Sequence, residues 1–181
     1  LLNNKTLSNA DLLYLKKISK KYFIKFNNKH KIDLVNELLI SVDIIPNSIV
    51  LAQAANESAW GTSRFAKEYN AFFGEYTYDF SKGVIPLNRE EGKKHLVKSF
   101  SSFDKSVESY FKNINSHRAY KKFRLIRKLM RDKNNFSNVS LLVETLNSYA
   151  EDDNYIGTIN SIIESNNLYK FDIVSYTPSR S

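Results

Sequence analysis

The chain has 181 residues, 42% of them apolar, and its 27 Lys and Arg against 19 Asp and Glu give a net charge of +8. That length supports one compact domain with a core, and no run of 18 apolar residues is present to span a membrane. Cys is absent, which excludes disulfides, thiolate nucleophiles and Cys-based zinc sites, and His30, His95 and His117 are too scattered for a metal-binding pair.

The positive charge has two readings. One is an anionic partner such as nucleic acid, anionic lipid or an acidic wall polymer. The other is a compositional habit of a Lys- and Asn-rich chain, since the basic residues are spread along its length. The chain starts at Leu1, as expected of a processed or trimmed protein, and any targeting segment would lie outside it.

Ser8 and Asp11 stand at capping-box spacing before a helix over 8–27, with Leu12, Leu15, Ile18, Tyr22 and Phe26 at helical spacing. A second helix is predicted over 31–42, with Ile32, Val35, Leu39 and Val42 on its inner face. Pro46 suits the first turn of a third, which runs to about Ala59 and stops at Gly61. Thr62 or Ser63 caps a short helix over 64–69. Residues 75–100 lose the helical period and read as a β-hairpin or small β lobe. Helices return after Ser101 or Ser102 (stripe Val107, Tyr110, Phe111, Ile114), then over 118–132, over 138–149, and from Asp152 or Asp153 with Tyr155, Ile159, Ile162 and Ile163 inward. The end, 171–181, reads as a tail.

One stretch carries chemistry. "LAQAANESAWGTSRF", 51–65, holds one acidic residue, Glu57, among small and uncharged neighbours. Gln53 lies four residues before it on the same helical face. A carboxyl there is either solvated at a helix end or partly desolvated, with a raised pKa and able to act as a general acid. Asn56 and Ser58 are hydrogen-bonding groups beside it, and Trp60 is either a sugar-stacking face or a core anchor.

The run "VDIIPNSIVLAQAANESAWGTSRFAKEYNAFFGEY" resembles the signature of bacterial N-acetylglucosaminidase domains of the flagellar-hydrolase and Bax-type family. Glu-Gly-x-x-His at 91–95, "NINSHRAY" at 113–120 and "YAEDDNY" at 149–155 are similar to later elements of the Bax-type branch, in the same order. The resemblance covers about 31–167. It implies an α+β, mostly α fold: a lysozyme-like helical domain at 31–170 with a small β-hairpin lobe. The N-terminal helix in 1–30 is expected to pack on that domain, and 171–181 to follow it as a tail. It implies hydrolysis of β-1,4 bonds in peptidoglycan on the N-acetylglucosamine (GlcNAc) side, with Glu57 as general acid.

By the same resemblance a second carboxylate maps to Glu91, with Glu90 as the competing alignment, although both also read as solvated loop charges. A separation near 5 Å favours retention and roughly 6.5–9.5 Å inversion. A supporting Tyr maps to Tyr149 first and Tyr155 second, the latter also a core position. Substrate contacts map to Ser58, Trp60, Asn70, Phe73, Gly74 and Tyr76, and His95 either hydrogen-bonds the β-lobe carboxylate or lies at the surface. Glu75-Tyr76 departs from a Gln-Trp pair common in the family, which adds a charge. Neither cofactor nor metal is expected. The expected partner is the peptidoglycan glycan strand, with no nucleic acid and no transmembrane segment, for a monomer in the periplasm or at the cell surface. The rivals are a muramidase or lytic transglycosylase of the same fold, and a non-catalytic basic helical module that binds nucleic acid or an anionic wall polymer.

Overall fold

A computed structural model describes residues 7–25, 31–86, 92–133 and 138–172. In chain order the elements are α1 (Asn9–Lys21), α2 (Lys31–Ser41), α3 (Asn47–Ser58), α4 (Arg64–Tyr69), β1 (Tyr76–Thr77), β2 (Gly83–Val84), β3 (Leu96–Lys98) and α5 (Phe103–Ser116). A 3-10 turn at Arg118–Tyr120 leads into α6 (Lys121–Asp132), followed by α7 (Ser140–Val143), α8 (Tyr155–Ser165) and a 3-10 turn at Leu168–Phe171. The chain is α+β and mostly helical. It divides into two units, 1–44 with 112–148, and 45–111 with 149–181.

In the first unit α1 starts on the expected capping box: Ser8 N donates to Asp11 Oδ2 (2.9 Å) and Asp11 N to Ser8 Oγ (3.2 Å). On α2 the buried residues are Leu34 and Leu38, while Ile32, Leu39 and Val42 are exposed, so the expected inner face is corrected. The helix carries apolar residues on more than one side, and Val35, Leu39 and Val42 instead line an open groove with Tyr14, Leu15 and Ile18 of α1. Periodicity cannot choose between two apolar faces.

The predicted helix at 138–149 shrinks to the four residues of α7. Thr145 turns both its Oγ1 (2.7 Å) and its N–H (3.0 Å) onto the Leu142 carbonyl, which ends the helical ladder there. On α6, Arg124 and Arg127 are buried. Arg127 donates to Asn115 Oδ1 (2.7 Å), Ile44 O (2.8 Å) and Ile40 O (2.9 Å), and Asp43 lies 3.6 Å away. Burial pushes this guanidinium down to about 10 against the pull of Asp43. Two charges of this Lys- and Arg-rich helix are therefore spent on internal carbonyls rather than offered to an anionic partner.

In the second unit the core is built by Ile45, Ile49, Ala52, Phe73, Leu96, Tyr110, Tyr155, Ile159 and Ile163. Pro46 is the N-cap of α3 rather than its first residue, and it brings no side-chain cap. The cap comes from 124 residues away: Ser48 N and Oγ donate to the Asp172 carboxylate (2.8 and 2.6 Å). Residues 171 and 172, predicted as tail, thus hold the start of the helix that carries Glu57. Asp172→Ala is expected to cost ~1–2 kcal/mol, roughly 3–6 °C in Tm by calorimetry; an unchanged Tm would show the cap idle.

The β lobe is not a simple hairpin. β3 is central, with β1 and β2 each antiparallel to it (Tyr76 opposite Val97, Gly83 opposite Lys98). A Cβ at Gly83 would sit 2.6 Å from Thr77 Cγ2 and 2.7 Å from Leu96 Cβ, so the close approach of the edge strand requires Gly there. The unusual charge of Glu75 is buried and answered. Lys98 Nζ lies 3.2 Å from Glu75 Oε2, and Ser109 Oγ accepts from Lys98 (2.6 Å) while donating to Glu75 (3.0 Å), tying the sheet to α5.

Candidate active site

α3 presents Gln53 and Glu57 one turn apart on one face. Gln53 is fully buried between two tyrosines. Tyr110 of α5 donates its hydroxyl to Gln53 Oε1 (2.6 Å), and Gln53 Nε2 donates to the Tyr155 hydroxyl (2.7 Å) at the start of α8. With that oxygen already accepting, the Tyr155 proton turns to the Glu57 carboxyl, its other hydrogen-bond partner. Burial and the neighbouring Glu57 charge push the Tyr155 hydroxyl far up, so it stays a donor.

Glu57 is half-buried at the last turn of α3. Desolvation raises its pKa above the usual carboxylate range, while hydrogen bonds from Asn56 Nδ2 (3.2 Å to Oε1) and Tyr155 hold it partway back. Gly74 closes the other side. At φ +60°, a Cβ there would stand 2.7 Å from Glu57 Oε2, so only Gly lets the backbone come this close to the carboxyl.

The two candidate tyrosines exchange places. Tyr155, expected second, is the one bonded to Glu57. Tyr149 donates its hydroxyl to the Phe73 carbonyl (2.7 Å) and stacks its ring on Tyr155 (5.6 Å between centroids, 8° between planes). It braces the assembly from behind.

Three expected substrate contacts are corrected. Ser58 is buried, donating to Ala54 O (2.6 Å) and accepting from Gly61 N (2.7 Å), which spends its hydroxyl on the helix end. That end falls at about Ala59 as expected, but Ala59 and Trp60 are already left-handed (φ 50° and 57°) before Gly61. Phe73 is a core ring stacked on Tyr110 at 4.2 Å. Asn70 is the left-handed C-cap of α4, and its Nδ2 donates to Phe100 O (3.1 Å).

Trp60 and Tyr76 do face outward, 62% and 64% exposed, and Tyr76 stacks on His95 (4.2 Å). Glu90 and Glu91 lie outside the described residues. Gln53 was legible on the Glu57 face without a role, and Tyr110 only as a stripe residue of α5. No local signal links Tyr110 to Glu57 or gives Gln53 its tyrosine partners.

Two residues along the chain from Gly74, Tyr76 forms a wall of a groove of about 860 Å³ whose other walls include Phe65, Tyr78, Lys93, Lys94, His95 and Glu151. Glu57 is not among its described lining residues. The chain connects them: Gly74 abuts the carboxyl and Tyr76 is a groove wall, while Tyr149 and Tyr155 bracket Glu151. Among the described residues no group of three or more His, Asp or Glu is placed to hold a metal ion.

A protonatable, half-buried carboxyl held by a hydroxyl relay beside an aromatic groove is the equipment of a glycoside hydrolase. Residues 32–168 match the glucosaminidase family model, described as mannosyl-glycoprotein endo-β-N-acetylglucosaminidase, and the chain belongs to this family of glycoside hydrolases. It is 36% identical over 143 residues to Protein bax of Escherichia coli (strain K12), covering 79% of this chain and 50% of that protein, so it spans about half the length of that curated relative. The fold is shared with the catalytic domain of the autolysin Auto from Listeria monocytogenes (TM-score 0.53, 20% identity, over 94% of this chain and 92% of that one).

Proposed function

We propose that the protein is a peptidoglycan hydrolase, an endo-β-N-acetylglucosaminidase that cleaves the β-1,4 bond on the GlcNAc side of glycan strands. The observation that carries this reading is Glu57: half-buried, raised in pKa, and oriented by Tyr155 against Gly74. A carboxyl so placed keeps its proton to higher pH than a solvated one and gives it to the departing glycosidic oxygen. Membership in the glucosaminidase family supports a glycan substrate, and the peptidoglycan reading puts the working protein in the periplasm or at the cell surface. Glu91, or Glu90 beside it, is the proposed second carboxylate, stabilising the oxocarbenium-like transition state or holding the attacking water.

Digestion of purified sacculi with mass readout of the products tests the reading. Reducing-end GlcNAc is expected. Reducing-end N-acetylmuramic acid (MurNAc) or its 1,6-anhydro form would move the cut to the other bond.

Tyr155 acts as a positioning residue through Glu57. Its donor favours the ionised carboxylate, so Tyr155→Phe is expected to raise the Glu57 pKa further and shift the basic limb of the kcat/KM profile to higher pH. The buried Gln53 amide loses its acceptor at the same time, a cost of about 1–3 kcal/mol in unfolding free energy. A basic limb that stays in place would remove Tyr155 from this role.

A further inference from the structure

We propose that the cationic end of the β-lobe groove receives the carboxylates of the peptide stems carried by the glycan, so that the protein selects stem-bearing strands over bare ones. This inference rests on the peptidoglycan reading. Two surfaces meet in the groove: the Tyr76–His95 stack (4.2 Å), flat and suited to a sugar ring, and the consecutive lysines 93 and 94. Neutral sugar hydroxyls give an ammonium group little to pair with, whereas a carboxylate gives it a charge-assisted hydrogen bond.

Lys94 is exposed and has no ion-pair partner among the described residues. Lys93 faces Glu151 across 3.8 Å, and the Glu151 side chain is 96% exposed, which makes this a long and weak surface pair. A substrate carboxylate can displace Glu151 at little cost. The stems of peptidoglycan supply such carboxylates: each hangs by an amide from the lactyl group of a muramic acid and ends in free acid groups. A strand whose sugar lies on Tyr76 therefore has an acidic arm beside it, and Glu151 is one competitor for Lys93.

The test compares soluble glycan strands with intact stems and the same strands stripped of stems by an amidase, with the lactyl carboxylates that this hydrolysis exposes capped as methylamides. Binding to the Glu57→Gln variant reads the preference without turnover, and KM of the wild-type side chain at position 57 reads it with turnover. Stem-bearing strands are expected to bind about three- to tenfold more tightly, an advantage that shrinks as salt is raised. Lys94→Ala should bring the ratio close to one, Lys94→Glu should invert it, and Glu151→Gln should widen it. Equal affinity for the two strands, or a ratio indifferent to both Lys94→Glu and Glu151→Gln, overturns the proposal. Preferential binding without any cleavage by the wild type would instead count against the hydrolase reading and leave this site standing.

Discussion

Glu57→Gln is expected to lower turnover on peptidoglycan by about 10²- to 10⁴-fold, the usual worth of a positioned general acid, with the fold retained. Gln keeps the shape of the side chain and removes its proton chemistry. The stability of the variant carries a second signature. Glu57 holds its proton more tightly in the native state than in the unfolded chain, because burial disfavours its charge.

The native state therefore binds more protons than the unfolded one between the two pKa values, and wild-type stability falls as pH rises through that window. Gln escapes this loss. The Tm difference between Glu57→Gln and wild type should start near its low-pH value below the ordinary carboxylate pKa and grow in favour of the variant as pH rises. The raised pKa also predicts that wild-type activity persists above the range where a solvated carboxyl has lost its proton, then declines as Glu57 ionises. A variant that still turns over would remove Glu57 from the reaction, and a Tm difference flat in pH would show that its pKa is not raised.

The second large effect is expected at Gly74. An alanine methyl would lie 2.7 Å from Glu57 Oε2, closer than non-bonded carbon and oxygen approach, on a backbone at φ +60° that an L side chain adopts only under strain. The carboxyl must swing away and lose its alignment with Tyr155. Gly74→Ala should lower kcat by roughly 10- to 100-fold, because misplacing a reacting group by an ångström forfeits much of its orientation. It should also cost ~1–2 kcal/mol of stability.

Gly61→Ala separates the two causes. That residue is also left-handed, at φ +73°, but a Cβ there meets only Phe72 Cε1 at an ordinary 3.6 Å. It should show a comparable stability loss with a much smaller effect on turnover. Equal activity losses at the two positions would mean that backbone strain, not the contact with Glu57, governs the site.

How far these effects could be foreseen differs along the chain. The Ser8–Asp11 box and the Ser63 cap act within three residues, and both helices start where their residues place them. The reach of α3 to about Ala59 was legible, but not what ends it: the Ser58 hydroxyl takes Gly61 N, and the chain turns at Ala59 and Trp60 without waiting for the glycine. The Asp172 cap on α3 was out of reach of any local pattern, since it joins residues 124 apart. Phe73 read as a substrate contact because a motif marks a residue as required without saying which way it faces; packing against Tyr110 turned it inward.

By itself the sequence determined the membership in a glycoside hydrolase family, the mostly helical course of the chain and the acid proposed as proton donor, because capping, helical period and a dense motif are carried by neighbouring residues. The tertiary structure alone decided that Tyr155 rather than Tyr149 reaches Glu57, that Gln53 and Tyr110 orient it, and that Gly74 seals its far side. Those contacts join segments far apart in the chain. Their choice depends on which side chains the packed core leaves within hydrogen-bonding distance, a property that no window of sequence contains.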